Sequence, residues 1–189
     1  MAIRGEYAKG RARREQILDE AVSLFAEAGY RAASMRDLAA RCGLSPAGLQ
    51  HHVGSKESLL LAVLERRDVD DAAASGLQVG AGRERLAALL EVVRRNESRR
   101  GVVELFTVLA AESASPEHPA HEFFDQRYRS VVATLTDAFA DCAHPAPASA
   151  ARRLVAVMDG LQVQWLLHPD DVDMVAEVGA QIERELPSG

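Results

Sequence analysis

Between Ser34 and Lys56 the chain reads SMRDLAARCGLSPAGLQHHVGSK, and no other stretch limits the fold so tightly. Ser34 is a good N-cap and Asp37 follows at the third position, so each side chain can satisfy an orphan amide of a first helical turn. Leu38 and Ala39 then face inward. Gly43 supplies a residue able to take positive φ just past the helix end, and Leu44 packs the corner. Ser45 caps a second helix whose first position is Pro46, where a missing N–H costs a helix nothing. That helix, Pro46 to about His52, is short and polar: Ala47 and Gly48 are small, Gln50, His51 and His52 carry donors and acceptors, and Leu49 is its core anchor. Ser55 caps a third helix, with Lys56 and Glu57 in the first turn and Leu59, Leu60, Val63 and Leu64 behind them. Two short helices across a tight break make a helix-turn-helix, and the polar second helix suits a DNA major groove.

The net charge of −6 argues against a nucleic-acid protein until it is divided along the chain. Residues 1–56 hold nine Lys or Arg against six Asp or Glu, a balance of +3, whereas the remainder holds 13 against 22, a balance of −9. A small basic head can meet phosphates while an acidic body keeps the rest off them. Strand signals are nearly absent and Ala, Leu, Glu and Arg recur at helical spacing, so the expected class is all-α. The 189 residues suffice for one large domain or two small ones. No apolar run is long enough for a bilayer span and no signal-peptide core opens the chain, which implies a cytoplasmic protein with no membrane partner. Cys42 and Cys142 are far apart and give neither metal spacing nor a disulfide framework.

Nine helices are expected in order. Met1 to Gly10 is polar and unpatterned, and Arg4 and Lys9 lead into Arg11, Arg13 and Arg14; such an arm either tracks phosphate or is a solvated tail. The first helix runs from about Ala12 to Ala28, buries Ile17, Leu18, Ala21, Val22, Leu24 and Phe25, and stops at Gly29. The fourth runs from Ser55 to near Ala74. Gly76 to Gly82, GLQVGAG, marks a boundary, giving a head over residues 1–56, a connecting helix over 57–75 and a body over 76–189. Helices five to seven are expected at about Arg83–Ser98, Val102–Ser113 and Ala120–Cys142. Helices eight (about Ser149–Leu167) and nine (about Asp171–Leu186) are joined by His168, Pro169 and Asp170 alone, which makes an antiparallel hairpin. Helix eight is apolar over more of its circumference than one partner needs, and a second subunit would explain it.

Other chemistries find little support. His121 and Asp125 share a helix face near His118, but without a fourth ligand the three are read as surface and helix-start groups rather than a metal site. His51 and His52, being adjacent, point in different directions. No Gly-rich phosphate loop or nucleophile elbow occurs, so neither an enzyme nor a cofactor is expected.

Gly29-Tyr30, Ser34-Met35-Arg36-Asp37-Leu38-Ala39, Gly43-Leu44-Ser45, Leu49, His52 and Ser55-Lys56-Glu57-Ser58-Leu59-Leu60 stand in the order found in the N-terminal domain of the TetR family of bacterial transcription regulators, which residues 11–66 resemble. The chain departs from that pattern at Gln50, where the family usually has Tyr, and at Val53, where it has Phe. The resemblance implies a three-helix DNA-binding domain followed by a helical ligand-binding and dimerisation domain. It implies a repressor that binds a near-palindromic operator as a homodimer through its last two helices and is released by a small-molecule effector. Carried over residue by residue, Ser34, Arg36, Ser45, His52 and Lys56 would position phosphates, and Ala47, Gly48, Gln50 and His51 would lie nearest bases. It also implies a cavity enclosed by helices five to eight. The large side chains there, Phe106, Leu109, Phe124, Tyr128, Met158, Leu161 and Trp165, with Gln162 among them, would line it for an apolar or aromatic, drug-sized effector oriented by Tyr128 or Gln162. A hydrophobic stripe also makes ordinary core. The alternative of another class is a helical small-molecule-binding protein or enzyme that has lost DNA binding, which Gln50 favours.

Overall fold

The computed structural model describes residues 2–76 and 80–187, and the side chains of residues 2–9 and of Ser75 are outside the description. Residues 77–79 of the expected boundary segment and the Arg4 and Lys9 side chains of the expected arm therefore lie outside the described set. Among the described residues the chain forms nine α-helices and no strand. They fall into two compact units, Met1–Arg67 and Asp68–Gly189.

The first unit opens on α1 (Ala2–Ala32), which begins well before the expected Ala12 because Ala2, Arg4, Glu6, Ala8 and Lys9 are helix formers despite Gly5 and Gly10. Gly29 breaks its geometry at φ 75°, ψ 154°, as its place at the end of the apolar stripe predicts. Ile17, Leu18, Ala21, Leu24 and Phe25 are buried, and Val22 is half-buried. The next elements are α2 (Met35–Arg41), α3 (Pro46–Val53) and α4 (Lys56–Ser75). Between α2 and α3, Gly43 adopts φ 62°, a conformation that a side chain would strain. Arg13 of α1 donates to the Cys42 carbonyl at that corner, and Arg41 pairs with Glu27 at 3.0 and 2.5 Å. Cys42 is buried, and its burial pushes the thiol pKa up, which withholds the reactive thiolate. On the first part of α4, Leu59, Leu60, Val63 and Leu64 are buried, and Arg66 reaches Asp19 of α1 at 2.9 Å.

The second unit takes the end of α4 and adds α5 (Gly82–Glu97), α6 (Arg100–Glu112), α7 (His121–Asp141), α8 (Pro147–Leu167) and α9 (Met174–Glu185). Asp68 and Asp71 of α4 pair with Arg127 at 2.9 Å and Arg99 at 2.8 Å. Leu86, Leu89, Val93, Leu135, Phe139, Leu154, Val178 and Ile182 lie in one core cluster. Pro147 opens α8 rather than ending the loop before it, because the first helical position needs no N–H. Arg153 near the start of α8 meets Glu185 near the end of α9 at 2.8 and 2.6 Å, which makes the two helices antiparallel. Their link is longer than expected: α9 starts at Met174, because Asp173 rather than Asp170 supplies its cap, accepting from the Ala176 amide at 2.8 Å.

Candidate nucleic-acid interface and effector site

The helix-turn-helix holds itself in shape through serine caps. Ser34 Oγ accepts from the Asp37 amide, Ser45 Oγ from Gly48 and Ser55 Oγ from Ser58, each at 3.1 Å. On α3, Leu49 (0% exposed) and Val53 (7%) turn inward, while Ala47, Gln50 and His51 are exposed and Gly48 and His52 partly so. Arg36 of α2 is exposed as well. The His51 and His52 rings meet edge-on at 5.8 Å, so the adjacent histidines diverge. All nine proposed contact residues thus lie on one 23-residue stretch, and its core is separate from its outward face.

Two of them also have work inside the fold. A Cβ at Gly48 would come within 3.2 Å of Ser45 Oγ, so the glycine keeps the cap serine unobstructed. Lys56 donates to the Arg31 carbonyl at 3.0 Å, and its ammonium stands 4.7 Å from the Tyr30 ring centroid. It ties the start of α4 to the end of α1, and Tyr30 in turn packs edge-on against Phe25 at 5.6 Å.

The eight residues expected to line an effector cavity divide into separate settings. Phe106 packs edge-on against Phe124 at 5.9 Å and Phe123 at 6.5 Å, with the Arg127 guanidinium 5.6 Å from its ring. Leu109 is fully buried. Tyr128 donates to Asp159 Oδ2 at 2.9 Å. Burial first, and the Asp159 charge next, push its pKa up to about 12, and burial pushes Asp159 up as well. Trp165 is buried beneath Arg100, whose guanidinium lies 5.6 Å from the ring and donates to the Leu166 carbonyl at 2.6 Å. Met158, Leu161 and Gln162 do line a cavity, together with Val93, Asn96, Met174 and Val178, but its volume is about 10 Å³, room for one water. A larger open groove of about 400 Å³ lies elsewhere, bounded by Ala81, Gly82, Arg83, Asp141, Cys142, Leu186 and Pro187.

Sequence reasoning passed over Asn96, Phe123 and Asp159. Asn96 was within reach of it, since it continues the buried spacing of Leu86, Leu89 and Val93 on α5 and is itself 3% exposed. The histidines near α7 are occupied. His121 Nδ1 donates to the Ser113 carbonyl at 2.8 Å, His118 accepts from the Ala120 amide at 3.2 Å, and Asp125 pairs with Arg129 at 2.8 Å. Among the described residues no group of three or more His, Cys, Asp or Glu could hold a metal ion, and no helix is long and apolar enough to cross a membrane.

A capped helix-turn-helix followed by a separate all-helical unit is the build of a one-component transcriptional regulator. Comparison with known proteins agrees. Residues 17–63 match the family model for bacterial regulatory proteins of the tetR family, and residues 82–187 match that for the C-terminal domain of BetI-type transcriptional repressors. The chain belongs to the TetR family of bacterial transcriptional regulators. The HTH-type transcriptional regulator BetI of Rhizobium meliloti is 29% identical over 176 residues, covering 88% of this chain and 84% of BetI. The HTH-type transcriptional repressor KstR2 of Rhodococcus jostii is 32% identical over 121 residues, 64% of this chain, and the match spans about half of KstR2, 52% of its length. Among solved structures, AibR in complex with isovaleryl coenzyme A and operator DNA is similar with a TM-score of 0.69 and 25% identity, over 94% of this chain and 100% of that one.

Proposed function

We propose that this protein is a homodimeric repressor that acts in the cytoplasm, holds a near-palindromic operator through α3 of each protomer and leaves it when a small molecule occupies the body. The observation that carries this reading is the division of α3 into an inward pair, Leu49 and Val53, and an exposed face of Ala47, Gln50 and His51. A helix so divided can lie in a major groove without giving up its core. Exposed donors such as Arg36, the serines at the helix starts and the partly exposed His52 are placed for phosphates, which fix register but carry no sequence. AibR, with an acyl thioester and operator DNA bound, is a precedent for both partners on such a fold. No catalytic role is assigned to any residue.

The dimer reading rests on α8, where Val163 and Leu167 are 45% and 68% exposed beyond what the core uses. A charge at Val178 would be a poor probe, since that side chain is 1% exposed inside the core of its own protomer. Val163→Asp and Leu167→Asp place the charge on the outward face, and sedimentation should then show monomers.

Selection of DNA ligands in vitro, followed by gel shifts across a salt series, tests the reading as a whole. Gln50→Ala should relax preference at one base position by roughly 1–3 kcal/mol, and Arg36→Ala should weaken all DNA alike and flatten the log-salt slope by about one unit. Failure of the unmodified protein to select any sequence would favour a helical small-molecule-binding protein instead.

A further inference from the structure

The 10 Å³ cavity between α5, α8 and α9 has a wall of unusual uniformity. Val93, Met158, Leu161, Met174 and Val178 make it apolar, and the polar residues in it are two carboxamides, Asn96 from α5 and Gln162 from α8. The lining contains no acid, base or aromatic ring. Recognition of a quaternary ammonium or other cation needs a carboxylate or an aromatic face, and recognition of a carboxylate or phosphate needs a guanidinium, an ammonium or a nest of amides. A carboxamide does neither of these well. It donates and accepts at once, and so matches a hydroxyl, a ketone or another amide.

Asn96 makes the point more sharply than Gln162. It stands on the buried stripe of α5 and is 3% exposed, where Leu or Val would complete the wall without burying an amide. The two methionines supply the other requirement. Their unbranched thioether side chains fill irregular gaps and re-pack readily, so a wall containing Met158 and Met174 can close over an empty site and turn aside for an occupant.

We propose that this cavity is the closed form of an effector site for a small uncharged molecule with an apolar body and one hydroxyl or carbonyl group, which Asn96 and Gln162 orient. The inference rests on the reading of the body as the effector-binding unit and adds the ligand's chemical class and the residues that read it. It separates the ligand from permanently charged metabolites, which this wall has no group to neutralise.

Trp165, the single tryptophan of the chain, lies one turn from Leu161 and Gln162 on α8 and reports occupancy by its fluorescence. Three probes of similar size separate the charge classes: 3,3-dimethylbutan-1-ol, choline, which carries an ammonium in place of the quaternary carbon, and isovalerate. The alcohol should change Trp165 emission saturably, at a half-saturation at least about tenfold below that of choline or isovalerate, because the wall leaves either charge unpaired. Asn96→Leu and, as the variant less able to disturb the core, Gln162→Leu should each weaken the alcohol by about fivefold or more, the cost of a lost hydrogen bond. The inference is overturned if choline or isovalerate binds as tightly as the alcohol, if both variants respond as the parent does, or if no probe gives a saturable change. Operator binding, measured separately, keeps the two readings apart: a chain that selects DNA but ignores the alcohol sinks the site, and one that binds the alcohol but no DNA sinks the regulator.

Discussion

In the head, helix starts are written into adjacent residues; in the body, they are held from a distance. Ser34, Ser45 and Ser55 each cap the helix that begins beside them. The residues at the N-caps of α5, α6, α7 and α8 are Ala81, Arg99, Ala120 and Ala146, and none makes a side-chain capping bond. What stands in their place comes from far along the chain: Asp141 accepts from the Gly82 amide at 3.1 Å, Arg99 pairs with Asp71, and Arg153 with Glu185. A motif that must present three side chains in a fixed register gains from local closure, because a cap depends on no packing elsewhere. A unit that re-packs around a ligand gains from ends set by tertiary contacts.

The contrast can be broken most severely in the body core. Phe139→Ala, at a side chain with no exposure, should cost about 3–5 kcal/mol in chemical denaturation and release α5, α7 and α8 together. DNA-contact residues should lose no local structure first, which amide exchange resolved by residue would show.

The next largest effect separates two ion pairs of the same type. Glu185 is buried, and Arg153, followed by the charge of His144, holds its carboxyl below the ordinary range; Glu27 is exposed beside Arg41 and is lowered by it in the same way. A carboxylate with a lowered folded-state pKa stabilises the fold fully above its ordinary value, here 4.5, and loses that contribution as pH falls through the lowered one. Glu185→Gln should therefore lower the melting temperature at pH 7 and flatten its decline below pH 4.5. Glu27→Gln should do little in either respect once salt screens the exposed pair. Asp159 runs the other way: burial raises its pKa, so its ionised form opposes folding above its ordinary 3.8, and Asp159→Asn should raise the melting temperature at neutral pH.

Smaller again is the loss of one cap. Ser45→Ala should cost about 1 kcal/mol of head stability and weaken operator binding with it, whereas Ser45→Asp should keep the bond to the Gly48 amide and most of the stability. Smallest is the gain of one. Ala81→Ser, placed before α5 in an extended conformation at φ −140°, ψ 159°, should add a few tenths of a kcal/mol without touching DNA affinity. A gain as large as the Ser45 loss would mean the body starts its helices locally after all.

The same contrast explains what the sequence made legible. The head could be read almost residue by residue, from the cap serines through the positive φ of Gly43 to the burial of Leu49, because each feature is decided within four or five residues. The length of α1 was the exception, since two glycines outweighed a run of good helix formers. In the body, the apolar spacings located every helix and most of the core. They could not show that Phe106 would meet Phe123 and Phe124, that Tyr128 would find Asp159, or that Met158, Leu161 and Gln162 would face Asn96 rather than the phenylalanines. Those pairings depend on how antiparallel helices slide past one another, and no spacing along one helix encodes that slide.

The exposed face of α3 has a consequence for descent. Positions 47, 50 and 51 owe nothing to the interior, so a gene copy can trade those codons freely and still yield a folded product. Its promoters can drift with it, one base pair at a time, while Leu49 and Val53 stay put. A lineage built on this chain can multiply its addresses before it has to invent a new scaffold.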